Sequence, residues 1–384
     1  LMQTKLPHII KISPQGKKAE DIIRSCVHCG FCLATCPTYQ LSGNELDSPR
    51  GRIYLIKSAL EDNHVSANTV QHLDQCLTCR SCESTCPSGV DYNQLIDIGR
   101  ELVDPQRPWW QKLYRYGVRT ALTSPLVINT LALFYRQSPI STTPKPVIQP
   151  KSRILLLTAC VQAALAPNIN HATKNVLATL GINVIETAKN ECCGALNHHL
   201  SAQEQALQQI KHNINTWSKQ LELGVEAIIS TASGCGVMVK DYKTLFKPSD
   251  PYYQKAQMIS HHTQDIAEYL LKQDLSLLNA PSRHISYHAP CSLQHGQKLP
   301  GVVEQLLGKL GYQLSVVTDS HLCCGSAGSY SILQPNVAKQ LKNNKLHHLS
   351  ASQPELIVTA NIGCLMHLSS GTDLPVKHWI ELLA

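Results

Sequence analysis

Two runs of four cysteines, Cys26-x2-Cys29-x2-Cys32-x3-Cys36-Pro37 and Cys76-x2-Cys79-x2-Cys82-x3-Cys86-Pro87, share one spacing and stand 50 residues apart. Thiolates at this spacing are cluster ligands. Three cysteines separated by two residues wrap one corner of a cubane, each reaching one iron, and the cysteine before proline is carried away to the other cluster. The expected ligand sets are therefore crossed. Cys26, Cys29, Cys32 and Cys86 would hold one [4Fe–4S] cluster, and Cys76, Cys79, Cys82 and Cys36 a second. Structural zinc would need four ligands per site, usually as two CxxC pairs, and two tandem runs closed by proline fit it poorly. His28 lies inside the first run. The cysteine count is complete without it, so it is expected to donate a hydrogen bond to sulfur or to sit at the surface.

The remaining cysteines form a second, larger repeat. Cys160, Cys192 and Cys193 recur as Cys291, Cys323 and Cys324, each 131 residues later, and Cys235 recurs as Cys364, 129 later. Gly194 and Gly325 follow the two vicinal pairs. The two kinds of repeat use up all 16 cysteines, which a chance scatter would not do. Vicinal cysteines can be a strained redox disulfide, a metal site or buried bystanders. Four thiols in each copy favour a further metal or cluster, with the disulfide and the structural role as the other readings.

These residues need elements to position them. GRIYLIKSALED (Gly51–Asp62) has helical spacing, and the N-terminal unit is expected to be a helical two-cluster domain. In the C-terminal half, ILLLTAC (Ile154–Cys160) is a buried-strand run ending in cysteine. A helix over about 169–180 follows, then a strand near Asn183–Glu186, a polar helix over about 202–221, and AIISTASGC (Ala227–Cys235). The second copy reads ISYHAPC (Ile285–Cys291), a helix near Val302–Leu310, a strand over Gln313–Val317, a helix near Asn336–Leu349 and LIVTANIGC (Leu356–Cys364). Alternating strands and helices predict α/β units with parallel sheet, and the cysteines fall just past the strands' carboxyl ends, where such sheets place ligands. The expected fold is multidomain: a helical two-cluster domain over 1–104, a basic amphipathic helix and Pro-rich linker over 105–150 (the linker being Thr142–Pro150), and cysteine-rich α/β modules over 151–280 and 281–384, related by a pseudo-twofold axis.

Composition narrows the setting. A chain of 384 residues can bury real cores without disulfide help. Leu1–Lys18 has no apolar h-region or small-residue cleavage site, and CxxC patterns belong to reducing compartments, so a cytoplasmic protein is expected. No segment reaches the roughly 18–20 apolar residues of a membrane span; Leu126–Tyr135 is too short. The net charge of +7 is unevenly placed: Pro105–Ile185 holds nine Lys and Arg and no Asp or Glu. Within it Trp110, Leu113, Tyr114, Val118, Ala121 and Leu122 fall on one helical face, Lys112, Arg115 and Arg119 fall away, and Pro125 stops the helix. It reads either as a helix docked on the core with a solvated basic face, or as an interfacial helix with its cations toward anionic lipid. No nucleic-acid motif accompanies the charge. There is no GxGxxG after a strand, no P-loop and no nucleophile elbow, and no obvious flavin or nicotinamide site.

The segments RSCVHCGFCLATCPTYQLSGNELDSPRGRIYLIK, DQCLTCRSCESTCPSGVDYNQLIDIGRE, TASGCG, DSHLCCGSAGSY and TANIGC together resemble the iron–sulfur subunits of glycolate oxidase most. They also resemble those of anaerobic glycerol-3-phosphate dehydrogenase and lactate-utilisation complexes, and the catalytic chain of heterodisulfide reductase. The resemblance covers nearly the whole chain. It implies an electron-transfer subunit of a flavin-dependent 2-hydroxy-acid dehydrogenase. FAD-containing partner subunits in a hetero-oligomer would carry the hydride chemistry, membrane quinone would accept the electrons, and the chain would attach peripherally to the inner (plasma) membrane. A third iron–sulfur centre could occupy one cysteine–cysteine–glycine (CCG) module. His288, His295 and His321 are expected to be mostly structural, one of them a candidate for a quinone or haem contact. The rival is a catalytic chain whose modules reduce a disulfide or a quinone. In heterodisulfide reductase the module ends in CxxC, whereas here Met238 follows Cys235 and His367 follows Cys364 at the third position. That puts a non-cubane cluster in doubt and argues against disulfide reduction.

Overall fold

The computed structural model describes residues 2–124, 126–130, 150–187, 192–278 and 281–384. The linker predicted over Thr142–Pro150 lies, apart from Pro150, outside the described residues, as do Pro125 and the later part of the run Leu126–Tyr135. Contacts divide the chain into two units. One joins Leu1–Val118 to His321–Lys345, and the other joins Arg119–Ser320 to Leu346–Ala384.

The first unit is helical. Helices Pro14–Ser25, Pro49–Glu61, Ala67–Asp74 and Tyr92–Val103 bury Ile23, Ile53, Ile56, Leu73, Leu95 and Ile96 in one core. Each starts on a side chain that accepts a backbone N–H of the first turn: Ser13, Ser48, Ser66 and Asp91. Two of the starts are copies of one motif, Ser13-Pro14-Gln15-Gly16 and Ser48-Pro49-Arg50-Gly51. In both, the serine caps, proline supplies the pre-set φ of the first helical position, and the glycine N–H donates to the serine Oγ (3.0 and 2.9 Å). The glycine is there for space. A Cβ on Gly16 would stand 2.0 Å from the Ile10 carbonyl oxygen, and one on Gly51 would stand 2.0 Å from that of Glu45.

The second unit holds two parallel sheets of four strands. β1 (Ser152–Leu157), β2 (Ile182–Ile185), β3 (Ala227–Ser230) and β4 (Thr263–Asp265) run in the order β2-β1-β3-β4. β5 (His284–His288), β6 (Gln313–Leu314), β7 (Leu356–Thr359) and β8 (Val376–His378) repeat it as β6-β5-β7-β8. β3 and β7 are buried along their length, and β1 and β5 beyond their first residues, as parallel strands covered on both faces must be. Ile154 pairs with Val184 and Ala227 across the first sheet, and Ile285 with Leu314 and Leu356 across the second. The loop after β3 meets the second module: Ser233 Oγ lies 2.7 Å from Ser292 Oγ, and His378 Nε2 lies 2.9 Å from the Thr231 carbonyl. Burial lowers the pKa of His378 to about 4, so the ring is neutral and donates to that carbonyl.

Candidate metal centres

Helix Pro14–Ser25 delivers the chain to Cys26, and helix Ala67–Asp74 delivers it to Cys76. The two loops then repeat their backbone as well as their cysteines. His28 (φ 56°) and Gly30 (φ 82°) are left-handed in the first, and Thr78 (φ 50°) and Arg80 (φ 59°) in the second. Left-handed residues reverse the chain tightly enough to turn successive thiols the same way. The short helices Phe31–Ala34 and Ser81–Thr85 carry Cys32 and Cys82, and Cys36 and Cys86 leave their runs in extended conformation just before proline.

The thiols line two cavities. Cys26, Cys29, Cys32 and Cys86 line one of about 440 Å³, and Cys36, Cys76 and Cys79 line another of about 380 Å³, each counted with the part open to solvent. Cys82 borders both. Its electrostatic neighbours are Cys79, Cys76 and Cys36, which place it with the second group. Cys26, in turn, interacts with Cys86 and Cys29. Each run thus contributes its first three cysteines to one cavity and its fourth to the other. No two cysteines form a disulfide among the described residues.

The donor set fits an iron–sulfur group. Burial raises the Cys82 thiol well above its ordinary value, with Cys79 and Cys76 adding to it, and burial pushes Cys32 up to about 11. Thiols crowded in this way resist ionisation unless a positive centre compensates them. His28 is exposed at the lining of the first cavity, and its backbone N–H hydrogen-bonds to Cys26. Its carbonyl accepts from Arg50 Nη1 (3.3 Å).

The first CCG module also gathers its cysteines. Cys160 opens the helix Cys160–Leu165 after β1, Gly194 caps Ala195–His199 just beyond Cys192 and Cys193, and Cys235 lies in the first turn of Ser233–Leu245 after β3. Cys160 and Cys193 both hydrogen-bond to Cys192, and Cys193 also to Cys235. Cys192 is the thiol that gains: its neighbours' S–H groups hold its pKa far down, while those of Cys160 and Cys193 rise. Asn213 Nδ2 donates to the Cys192 carbonyl (2.9 Å) and Tyr242 Oη to that of Cys193 (2.8 Å), which fixes the pair's backbone.

The second module's cysteines are divided between the units. Cys323 and Cys324 belong to the first, Cys291 and Cys364 to the second. The turn after the vicinal pair repeats that of the first module: Gly325 has φ 89°, its N–H donates to Cys323 Sγ (3.4 Å), and a Cβ there would stand 2.7 Å from the Ala338 carbonyl oxygen. His288 is buried at the end of β5, with a ring nitrogen within 4.8 Å of Cys364 Sγ.

The basic helix differs from expectation. Over Trp109–Thr123 it turns Trp109, Trp110, Leu113, Tyr114 and Tyr116 outward, at 51–76% exposure. Arg115, expected on the solvated face, is half-buried, 3.7 Å from Asp74, whose oxygens also receive both terminal nitrogens of Arg107 at 2.6 Å. Burial pulls the pKa of Arg115 down to about 10, and the charge of Arg107 adds to the effect. An acid on another helix has set the rotation that the helix's own periodicity left open. No helix among the described residues is long and apolar enough to cross a membrane.

Residues 22–90 match the family described as a 4Fe-4S dicluster domain, and residues 154–240 and 285–369 each match the cysteine-rich CCG domain. The glycolate oxidase iron-sulfur subunit of Escherichia coli (strain K12) is 46% identical over 400 residues, covering 100% of this chain and 98% of that protein. The probable glycolate oxidase iron-sulfur subunit of Bacillus subtilis (strain 168) is 28% identical over 402 residues, 92% of this chain and 90% of its own. Lactate utilization protein A of Shouchella clausii is 23% identical over 240 residues, 60% of this chain and 98% of its own.

Proposed function

The chain belongs to the family of glycolate oxidase iron–sulfur subunits, and we propose that it is the electron-transfer subunit of a flavin-dependent 2-hydroxy-acid dehydrogenase acting on glycolate. The observation that carries this is the sorting of the eight N-terminal thiols into two cavities with crossed membership. Cys26, Cys29, Cys32 and Cys86 hold one [4Fe–4S] cluster, and Cys76, Cys79, Cys82 and Cys36 the other. Bound there, such clusters accept and release one electron at a time. The rest is done by the chain: the thiolates fix the centres, and helices Pro49–Glu61 and Tyr92–Val103 shield them from water. Val27 and Phe31, exposed beside the exposed Cys29, form the rim where electrons enter from a partner flavoprotein.

The joined thiols Cys160, Cys192, Cys193 and Cys235 supply the donors for a third iron–sulfur centre. Cys291, Cys323, Cys324 and Cys364 are the equivalent set of the second module. The modules span 151–280 and 281–384, and the repeated strand order supports a pseudo-twofold relation between them.

Glycolate added anaerobically to the assembled complex is expected to produce the EPR signals of reduced clusters in this chain. Reduction by lactate or glycerol-3-phosphate with no response to glycolate would move the substrate to a neighbouring branch. No response to any of the three would sink the dehydrogenase reading.

The outward aromatic face of Trp109–Thr123 supports peripheral attachment to the inner membrane and delivery of electrons to quinone there. Indole rings lie at headgroup depth while nearby cations meet anionic lipid. Co-sedimentation with phosphatidylglycerol vesicles is expected to weaken by at least roughly tenfold in W109S/W110S, the equivalent of about 1.4 kcal/mol. Unchanged sedimentation would remove the helix from the membrane.

A further inference from the structure

Helix Pro49–Glu61 carries a guanidinium into the core of the first unit. Arg52 is 1% exposed. Its Nε donates to the His72 carbonyl (2.7 Å), its Nη2 donates to Thr38 Oγ1 (3.0 Å), and its Nη1 lies 3.9 Å from Cys36 Sγ. Thr38 Oγ1 lies 3.3 Å from the same sulfur. The carboxylate paired with Arg52 among the described residues is Asp47, 3.6 Å from Nη2 and shared with His72 Nδ1 at 2.7 Å. The guanidinium is held at three nitrogens and out of water, with Asp47 offsetting part of its charge, and it stays protonated in such a place.

The first cavity meets a different cation. Arg50 lines it, but its side chain is 30% exposed and its Nε is held by Glu45 at 2.7 Å. The energy between charges scales inversely with the effective dielectric, so a buried charge acts several times more strongly than a surface one at the same distance. Net charge, hydrogen bonds to sulfur and exposure set the reduction potential of a cluster. A positive charge stabilises the reduced, more negative form.

We propose that Arg52 poises the cluster of Cys36, Cys76, Cys79 and Cys82 at a higher potential than the cluster of Cys26, Cys29, Cys32 and Cys86, and so gives electron flow its direction. The proposal rests on the ligand sets assigned above. One electron leaves the first centre and one arrives at the second. Arg52 exchanges no proton in the step; it is a positioning and tuning residue. Cys29 of the first set is exposed, where an external donor can reach it, whereas Cys36, Cys76 and Cys82 are buried; that burial by itself disfavours the more negative reduced form, and the charge of Arg52 opposes it.

The test is a potentiometric EPR titration of the full chain after anaerobic reconstitution, with the second cluster's signal identified as the one that Cys36→Ala removes. In the wild type this signal is expected to appear at the higher potential. Arg52→Gln keeps amide donors but removes the charge, so the signal should move to lower potential while the other stays in place. Arg52→Lys should keep it nearer the wild-type position. Asp47→Asn removes the counter-charge and should move it the opposite way. Unmoved signals, equal movement of both, or movement of Asp47→Asn in the same direction as Arg52→Gln would overturn the role of Arg52. If Arg52→Gln fails to fold, Asp47→Asn decides: a rise confined to the second signal supports the proposal, and no rise overturns it. A wild-type chain that takes up no iron and sulfide would overturn the ligand assignment itself, which a loaded chain with unmoved potentials would not.

Discussion

Replacing Cys36 by alanine is expected to empty the site built by the second run and to spare the site built by its own sequence neighbours. Iron should fall from about eight to about four atoms per reconstituted N-terminal site pair, since each cubane carries four. The surviving EPR signal should be that of the first run. Cys36 leaves its run in extended backbone before Pro37, borders the cavity lined by Cys76 and Cys79, and lies under Arg52 rather than beside Cys26. Cys86→Ala should do the converse. Were the sets uncrossed, Cys36→Ala would instead erase the first signal, and the two variants would exchange phenotypes. Alanine is the informative substitution because a serine oxygen can still ligate iron.

Gly51→Ala should destabilise the first unit by about 1–3 kcal/mol or more, the range for overpacking a filled site. The new Cβ would stand 2.0 Å from the Glu45 carbonyl oxygen and 2.9 Å from the Leu46 Cα. These are backbone atoms that cannot rotate away, unlike a flexible side chain. Relief requires the turn Glu45–Asp47 to lift off the helix start. That turn carries Asp47 and, through its carbonyl, the hydroxyl of Thr38 (2.8 Å), so the damage should reach the surroundings of Cys36. A lower melting temperature with slower retention of the second cluster is expected. Gly16→Ala meets the Ile10 carbonyl in the same way and should lower the melting temperature without that selectivity. Equal melting of Gly51→Ala and the wild type would show that the turn can yield.

Much of this molecule is legible in its sequence, for physical reasons that differ by element. The module helices fall within one or two residues of their reading: Gln203–Glu222 against about 202–221, and Val302–Lys309 against Val302–Leu310. Their apolar periodicity is set by burial alone. The strand expected over Gln313–Val317 shrinks to Gln313–Leu314, because only two residues find partners on β5 and Val316 is 95% exposed. The rotation of Trp109–Thr123 was not legible, since it is decided by Asp74 on another helix. Arg52 carries a signal in the sequence itself. It sits four residues before Ile56 on the apolar face of Gly51–Asp62, and a charge at a core position implies a partner that repays its burial. The twin Ser-Pro-x-Gly starts were equally visible as a repeat, but the carbonyl that forbids a side chain lies six residues upstream of each glycine, a closeness only the fold creates.

Tyr330 reaches back across the chain to the second run. Its phenol, nearly buried, donates to the Gln75 carbonyl at 3.0 Å, next to Cys76. Burial raises its pKa, and the neighbouring Cys76 thiolate adds to the effect, so the proton stays on and the bond is kept. The order of synthesis gives this contact a further meaning. All eight N-terminal thiols leave the ribosome while the tyrosine has yet to be translated, and the Gln75 carbonyl then has only water to receive from. A nascent chain can enclose its clusters early, but it cannot close the unit that holds them until residues 321–345 have emerged. Two segments whose contacting residues stand 255 apart in the chain must meet before that body is finished.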